Sequence, residues 1–188
     1  MAKFASGGLS LKPEDKEFLL TQIKPLLKHN DAFAARTLIQ QEKKKLDYDD
    51  NKFKSLCRIQ EFLLSRMGEE NYFRGTGNMV YAFEFSGCPT LEKIVIPNNI
   101  IAFDEYAFAN SKVLEFVSLP SSFNFIGEDV FNGCSSLTTV KIENGKDKSL
   151  YITDAAFYNC PCKVYVKKSM LTDEPDPEGF LIDHLHYL

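Results

Sequence analysis

The chain has 188 residues, of which 44% are hydrophobic and 26% charged, with a formal net charge of −4. This size fits one domain or two small ones, and the composition is ordinary for a globular protein. No stretch approaches the roughly 18 apolar residues needed to span a bilayer. The mildly basic N-terminal part and the acidic C-terminal tail are too weak a bias to argue nucleic-acid binding.

The opening MAKFASGGLSLK lacks the apolar core of a signal peptide. The five cysteines are odd in number and irregular in spacing, which suits reduced thiols better than a disulfide framework. The expectation is a cytoplasmic protein, extracellular only if a leader has been removed.

A helical region is expected over residues 1–75. Its first helix opens near Pro13, a favourable first-turn residue, with Glu14, Asp15 and Glu17 at the positive end of the helix dipole. The apolar stripe is Phe18, Leu19, Leu20, Ile23, Leu26 and Leu27, and Pro25 inside it should kink or split the helix. Asn30 or Asp31 can cap a second helix with Phe33, Ala34, Leu38 and Ile39 on its apolar face. The run Lys43, Lys44, Lys45 ends that helix and reads as a solvated terminus.

After the loop Asp47-Tyr48-Asp49-Asp50, a third helix presents Phe53, Leu56, Cys57, Ile59, Phe62, Leu63 and Leu64, and Gly68 supplies its stop. The helices can form a small bundle or cover the open end of the segment that follows. The second role is preferred, because about 60 residues make a marginal independent core. No helix carries several Arg, Asn or Gln residues on one exposed face, which argues against a helix-turn-helix DNA reader. Arg74-Gly75-Thr76-Gly77-Asn78 lacks the Gly-Lys-Ser/Thr ending of a phosphate loop and reads as a linker.

From residue 79 the pattern changes. Phe85, Phe108, Phe131 and Phe157 sit in one small frame, spaced by 23, 23 and 26 residues. Three residues after each stands Cys88, Ser111, Cys134 or Cys160, and five residues before each stands Val80, Phe103, Ile126 or Ile152. Leu91, Leu114 and Leu137 follow at a fixed offset, then the pairs Ile94 with Ile96, Val117 with Leu119, and Val140 with Ile142. Such alternation suits short strands with one buried face, and Pro97 and Pro120 close two of them. Lys163-Val164-Tyr165-Val166 is the strand of a shortened fourth unit. A fixed period of this size marks a stacked array, which usually works by presenting a surface.

The phrases AFANSKVLEFVSLPSSFNFIGEDVFNGCSSLTTVKI and ITDAAFYNCPCKVYV closely resemble BspA-type leucine-rich repeats. That unit reads approximately Ile-Gly-x-x-Ala-Phe-x-x-Cys-x-x-Leu-x-x-Ile-x-Ile-Pro. The resemblance covers about residues 79–168. It departs where Val80-Tyr81-Ala82-Phe83-Glu84-Phe85 lacks the glycine, where Glu143 replaces the strand-closing proline, and at the insert around Lys146, Asp147 and Lys148. It implies an α+β repeat protein: an N-terminal helical segment followed by a short leucine-rich-repeat solenoid with stacked parallel strands. It also implies protein binding as the usual activity.

Little else carries chemistry. Cys88, Cys134 and Cys160 share one repeat position, where a small buried side chain is expected. Cys160 and Cys162 could be drawn with His184 and His186 as a zinc site, but the repeat already accounts for Cys160, and no metal or cofactor is expected. Asp104-Glu105 and Glu128-Asp129 recur in the same frame as solvated turn charges rather than as an acid/base pair. His184, beside Asp183, is the only histidine with an adjacent acid, and no Gly-x-Ser-x-Gly elbow accompanies it, so no enzyme is expected.

The expected working surface is the outward face of the strands: Lys93, Val95, Phe116, Ser118, Thr139, Lys141, Lys163 and Tyr165. It would bind another protein unless the helices or the tail cover it. Residues 169–188 form an acidic linker and an apolar tail, which either caps the last repeat or docks on another molecule. The leading expectation is an intracellular protein-interaction module. Its alternatives are a phage- or mobile-element-encoded inhibitor of a host enzyme and an extracellular adhesin fragment.

Overall fold

The structure, a computed structural model, describes the chain except for residues 7–9, 28–31, 76, 144, 146–148, 172–183 and 188. The expected cap at Asn30 or Asp31, the insert at Lys146–Lys148, the acidic linker and His29 lie outside the described residues.

Four turns of chain stack into a solenoid with two ladders of parallel strands. The first ladder contains β3 (Leu91–Val95), β5 (Phe116–Leu119), β7 (Thr139–Ile142) and β9 (Lys163–Val166). It is extended at one edge by β1 (Lys3–Phe4), antiparallel to β3, and at the other by β10 (Leu185–Tyr187), parallel to β9. The second ladder holds two-residue strands: β2 (Met79–Val80), β4 (Ala102–Phe103), β6 (Phe125–Ile126) and β8 (Tyr151–Ile152).

The sequence reading foresaw one strand per unit and therefore missed this second ladder. Its inward positions, Val80, Phe103, Ile126 and Ile152, are buried as expected. The strands are too short to show alternation, which is why the pattern carried no strand signal there.

The four anchor phenylalanines form one column between the sheets. Ring centroids from Phe85 to Phe108, Phe108 to Phe131 and Phe131 to Phe157 are 5.2, 5.6 and 5.3 Å apart, with planes within 21° of parallel. The residue two positions after each anchor is Gly87, Asn110, Gly133 or Asn159, and each has a positive φ. Glycine and asparagine tolerate this left-handed backbone, so their recurrence fixes the turn that carries each ring inward. The next position holds a small side chain, and in the second and third units it donates across to the preceding turn. Ser111 Oγ donates to the Phe85 carbonyl at 2.5 Å, and Cys134 Sγ to the Phe108 carbonyl at 3.1 Å. Serine and cysteine interchange there because both fit and both donate.

The helices pack on the first turn and close that end of the column. Helix α1 (Pro13–Phe18) passes into a π-helical turn over Leu19–Ile23 and a 3₁₀ turn over Lys24–Leu26, consistent with the expected disruption at Pro25. Leu20 does not join the apolar stripe and is 58% exposed. Helix α3 (Asn51–Tyr72) has Asp50 as N-cap, its side chain accepting from Lys52 N. Gly68, expected as the stop, leaves helical geometry at φ 72°, but the chain turns helically again as far as Tyr72. Tyr72 and Phe73 then bring their rings to 5.8 and 6.1 Å from Phe85.

Helix α2 (Phe33–Lys43) corrects two expectations. Phe33 and Ala34 are exposed, and the buried face is Ala35, Arg36, Ile39 and Lys43. Lys43 is therefore not part of a solvated helix end. Its ammonium donates to the carbonyls of Glu84 and Ser86 at 3.0 and 2.9 Å and to Gln60 at 3.3 Å. Arg36 forms a fork with Glu84 at 2.5 and 2.8 Å, and Tyr72 donates its hydroxyl to the same carboxylate. Glu61 on α3 accepts from Thr90 N, Thr90 Oγ1 and Leu91 N at the start of β3. Two buried cations and two buried carboxylates thus balance at the junction, and each is hydrogen-bonded, as burial of charge demands. Burial raises the Glu61 carboxyl above its ordinary range, and its three donors and the Lys43 charge only partly oppose this.

At the far end the tail supplies a cap over its described residues. β10 extends the sheet, Val164 N donates to the His184 carbonyl at 2.7 Å, and the His184 ring lies 5.6 Å from Phe157 at the end of the column. Both ends of the apolar stack are covered, as a terminal repeat requires.

Candidate functional site

The outward face of the six-stranded sheet is built by strand alternation. Ile94, Val117, Val140 and Val164 are in register and fully buried. The residues on either side of them must therefore point away from the core. One outward row is Lys93, Phe116, Thr139, Lys163, and the next is Val95, Ser118, Lys141, Tyr165. All eight residues named from the sequence fall in these two rows. Lys141 and Lys163 are exposed and the other six half-buried.

The half-burial of Phe116 and Tyr165 comes in part from neighbours in the sheet. The Lys93 ammonium lies 4.7 Å from the centre of the Phe116 ring, and His186 of β10 stacks at 5.5 Å on Tyr165. Register aligns His186 with Tyr165, so the tail adds a further position to the second row. Sequence reasoning missed His186 as part of this face because only the pairing of β10 with β9 reveals it. Each of the contacts described for these side chains lies within the sheet. The helices make their polar contacts with the first turn, through Glu61, Lys43 and Arg36.

The other candidate groups fall elsewhere. Cys88, Cys134 and Cys160 are buried at the shared turn position, and burial pushes the Cys134 thiol up. His184 Nδ1 lies 2.8 Å from the Cys162 carbonyl oxygen, a contact to backbone rather than to the thiols. Among the described residues no group of three or more His, Cys, Asp or Glu side chains could hold a metal ion. Glu105 and Glu128 are exposed on successive turns, while Asp104 and Asp129 are half-buried beside them. No helix among the described residues is long and apolar enough to cross a membrane.

Two parallel ladders, an asparagine- and glycine-punctuated turn column and an inward phenylalanine stack define a leucine-rich-repeat solenoid. Residues 73–171 match the model of the BspA type leucine rich repeat region (6 copies), so just over half of the chain is matched and the protein belongs to that family. Repeats of this family are generally non-enzymatic protein-interaction modules. No curated protein matches the chain, and no solved structure does.

Proposed function

We propose that the protein is a protein-binding module whose partner rests on the outward face of the six-stranded sheet. The observation that carries this reading is the registered pair of outward rows, in which Val95, Phe116 and Tyr165 stand among Lys93, Lys141 and Lys163. Aromatic groups set in a ring of polar side chains are the usual anchors of an interface. A solenoid of four turns is too short to enclose a partner, so recognition is across a surface.

The five thiols are all free and buried, which supports a reducing, intracellular setting. Two narrower readings use the same face: an inhibitor, carried by a phage or other mobile element, that occupies an enzyme's surface, and an extracellular adhesin repeat. The thiols favour the first. Identifying a partner captured from the native cell or its host separates them. The face itself is tested by hydrogen exchange on the isolated complex. Slowed exchange is expected over residues 93–95, 116–118, 139–141 and 163–165. Protection confined to the α2 and α3 surfaces would refute the assignment.

A further inference from the structure

We infer that the segment received by this sheet face is an acidic protein chain with apolar residues interspersed. The inference rests on the reading above that the face is the interface, and it adds the chemistry of the partner. Across the two outward rows the only charged residues are lysines: Lys93, Lys141 and Lys163. No carboxylate stands in either row. Of the sheet's own carboxylates, Glu92 lies within β3 and the other two flank strands. Glu92 is taken by Lys3 at 2.6 Å, Glu115 precedes β5, and Glu143 follows β7.

Spacing lets one acidic segment meet all three cations. Neighbouring strands lie about 4.8 Å apart and residues about 3.3 Å apart along each strand. Lys141 and Lys163, on adjacent strands and offset by two residues, therefore carry side chains rooted about 8 Å apart. That is about one Debye length at physiological salt, so the two exposed cations scarcely repel each other, and their long stems let a carboxylate lying between them reach either ammonium. Neither forms an ion pair with a described residue. Lys93 to Lys163 spans three strand spacings, about 14 Å, which four or five extended residues cross. Phe116, Val95 and Tyr165 lie between and beside the cations and offer apolar contact to the residues that alternate with the acidic ones.

A nucleic acid fits this face less well. Three lysines neutralise few phosphates. The face is bordered by Glu92, Glu115 and Glu143, and the whole chain is net negative, so a continuous phosphate backbone would meet carboxylates at both margins. A peptide can place its carboxylates only where the lysines are.

The test uses the full chain and three fluorescent probes in low salt: a random Glu–Tyr copolymer, a random Lys–Tyr copolymer and a twenty-nucleotide oligothymidylate. The Glu–Tyr copolymer is expected to bind, and the other two are not. Lys141→Glu/Lys163→Glu should weaken that binding at least tenfold with an unchanged melting temperature, and Lys141→Gln/Lys163→Gln by a smaller factor. Lys112→Glu, off the sheet, should leave it unchanged. If Lys–Tyr binds instead and Phe116→Ala abolishes it, the face remains the site and the acidic partner is wrong. If Glu–Tyr binds wild type and the double charge reversal equally, both the face and its chemistry are wrong. Oligothymidylate binding that depends on the same lysines overturns the inference in favour of nucleic acid. Equal weakening by Lys112→Glu, or no binding of Glu–Tyr at all, also overturns it.

Discussion

Replacing Phe131 by alanine probes the stacked column at a fully enclosed point. The Phe131 side chain is fully buried, with Phe108 and Phe157 stacked at 5.6 and 5.3 Å and Phe103 edge-on at 6.0 Å. Truncating a buried phenylalanine costs about 3–5 kcal/mol through lost transfer free energy and the cavity left behind. Ring pairs contribute roughly 0.5–1.5 kcal/mol each beyond burial, and this ring has stacked partners on both sides. The upper part of the range, about 4–5 kcal/mol, is therefore expected. Phe157→Ala gives an internal comparison. Its outer neighbour is the tilted His184 ring at 5.6 Å, so a loss nearer 3 kcal/mol is expected. Urea unfolding followed by far-ultraviolet circular dichroism measures both. A Phe131→Ala loss under about 1 kcal/mol, or one no greater than that of Phe157→Ala, would refute a continuous column as the source of stability.

Lys43→Met should destabilise by about 3 kcal/mol, because it orphans two buried carbonyls at the junction, whereas Lys44→Met next to it should change stability by less than about 0.5 kcal/mol. Equal effects in urea melts would show that the buried ammonium does not fix the helices to the first turn. The Asp15 carboxyl is held below its ordinary range: burial alone would raise it, but hydrogen bonds from Arg58, Ser55 and the Lys12 amide, with the Arg58 charge, outweigh that. Its contribution is then present above the unfolded carboxylate value near 3.8 and lost as pH falls through the lower folded value. Asp15→Asn should accordingly make stability fall less steeply below about pH 4. Parallel slopes for wild type and variant in melts at stepped pH would contradict this.

The repeat frame was legible because each unit must satisfy the same neighbours. Phe85, Phe108, Phe131 and Phe157 recur since each ring stacks on the last. Gly87, Asn110, Gly133 and Asn159 recur since each turn needs a left-handed residue. The eight outward residues could be read from alternation alone, because their neighbours Ile94, Val117, Val140 and Val164 mark the inward face. Tertiary partners hid the rest. A lysine at a helix end looks solvated unless the carbonyls of Glu84 and Ser86 are known to lie above it. Nothing in the sequence singled out Arg36 on α2, because its partner, Glu84, is 48 positions away. Two-residue strands leave no periodic trace, and β10 follows an acidic stretch that points away from sheet structure.

The central claim is that the sheet face, and not the helices, contacts the partner. It is tested most directly by measuring the affinity of a captured partner for wild type and for Phe116→Ala/Tyr165→Ala, with melting temperatures recorded alongside. Truncating an interface anchor commonly costs about 2 kcal/mol or more, so binding at least thirtyfold weaker with a nearly unchanged melting temperature is expected. Wild-type affinity in a variant that keeps its melting temperature would contradict the account.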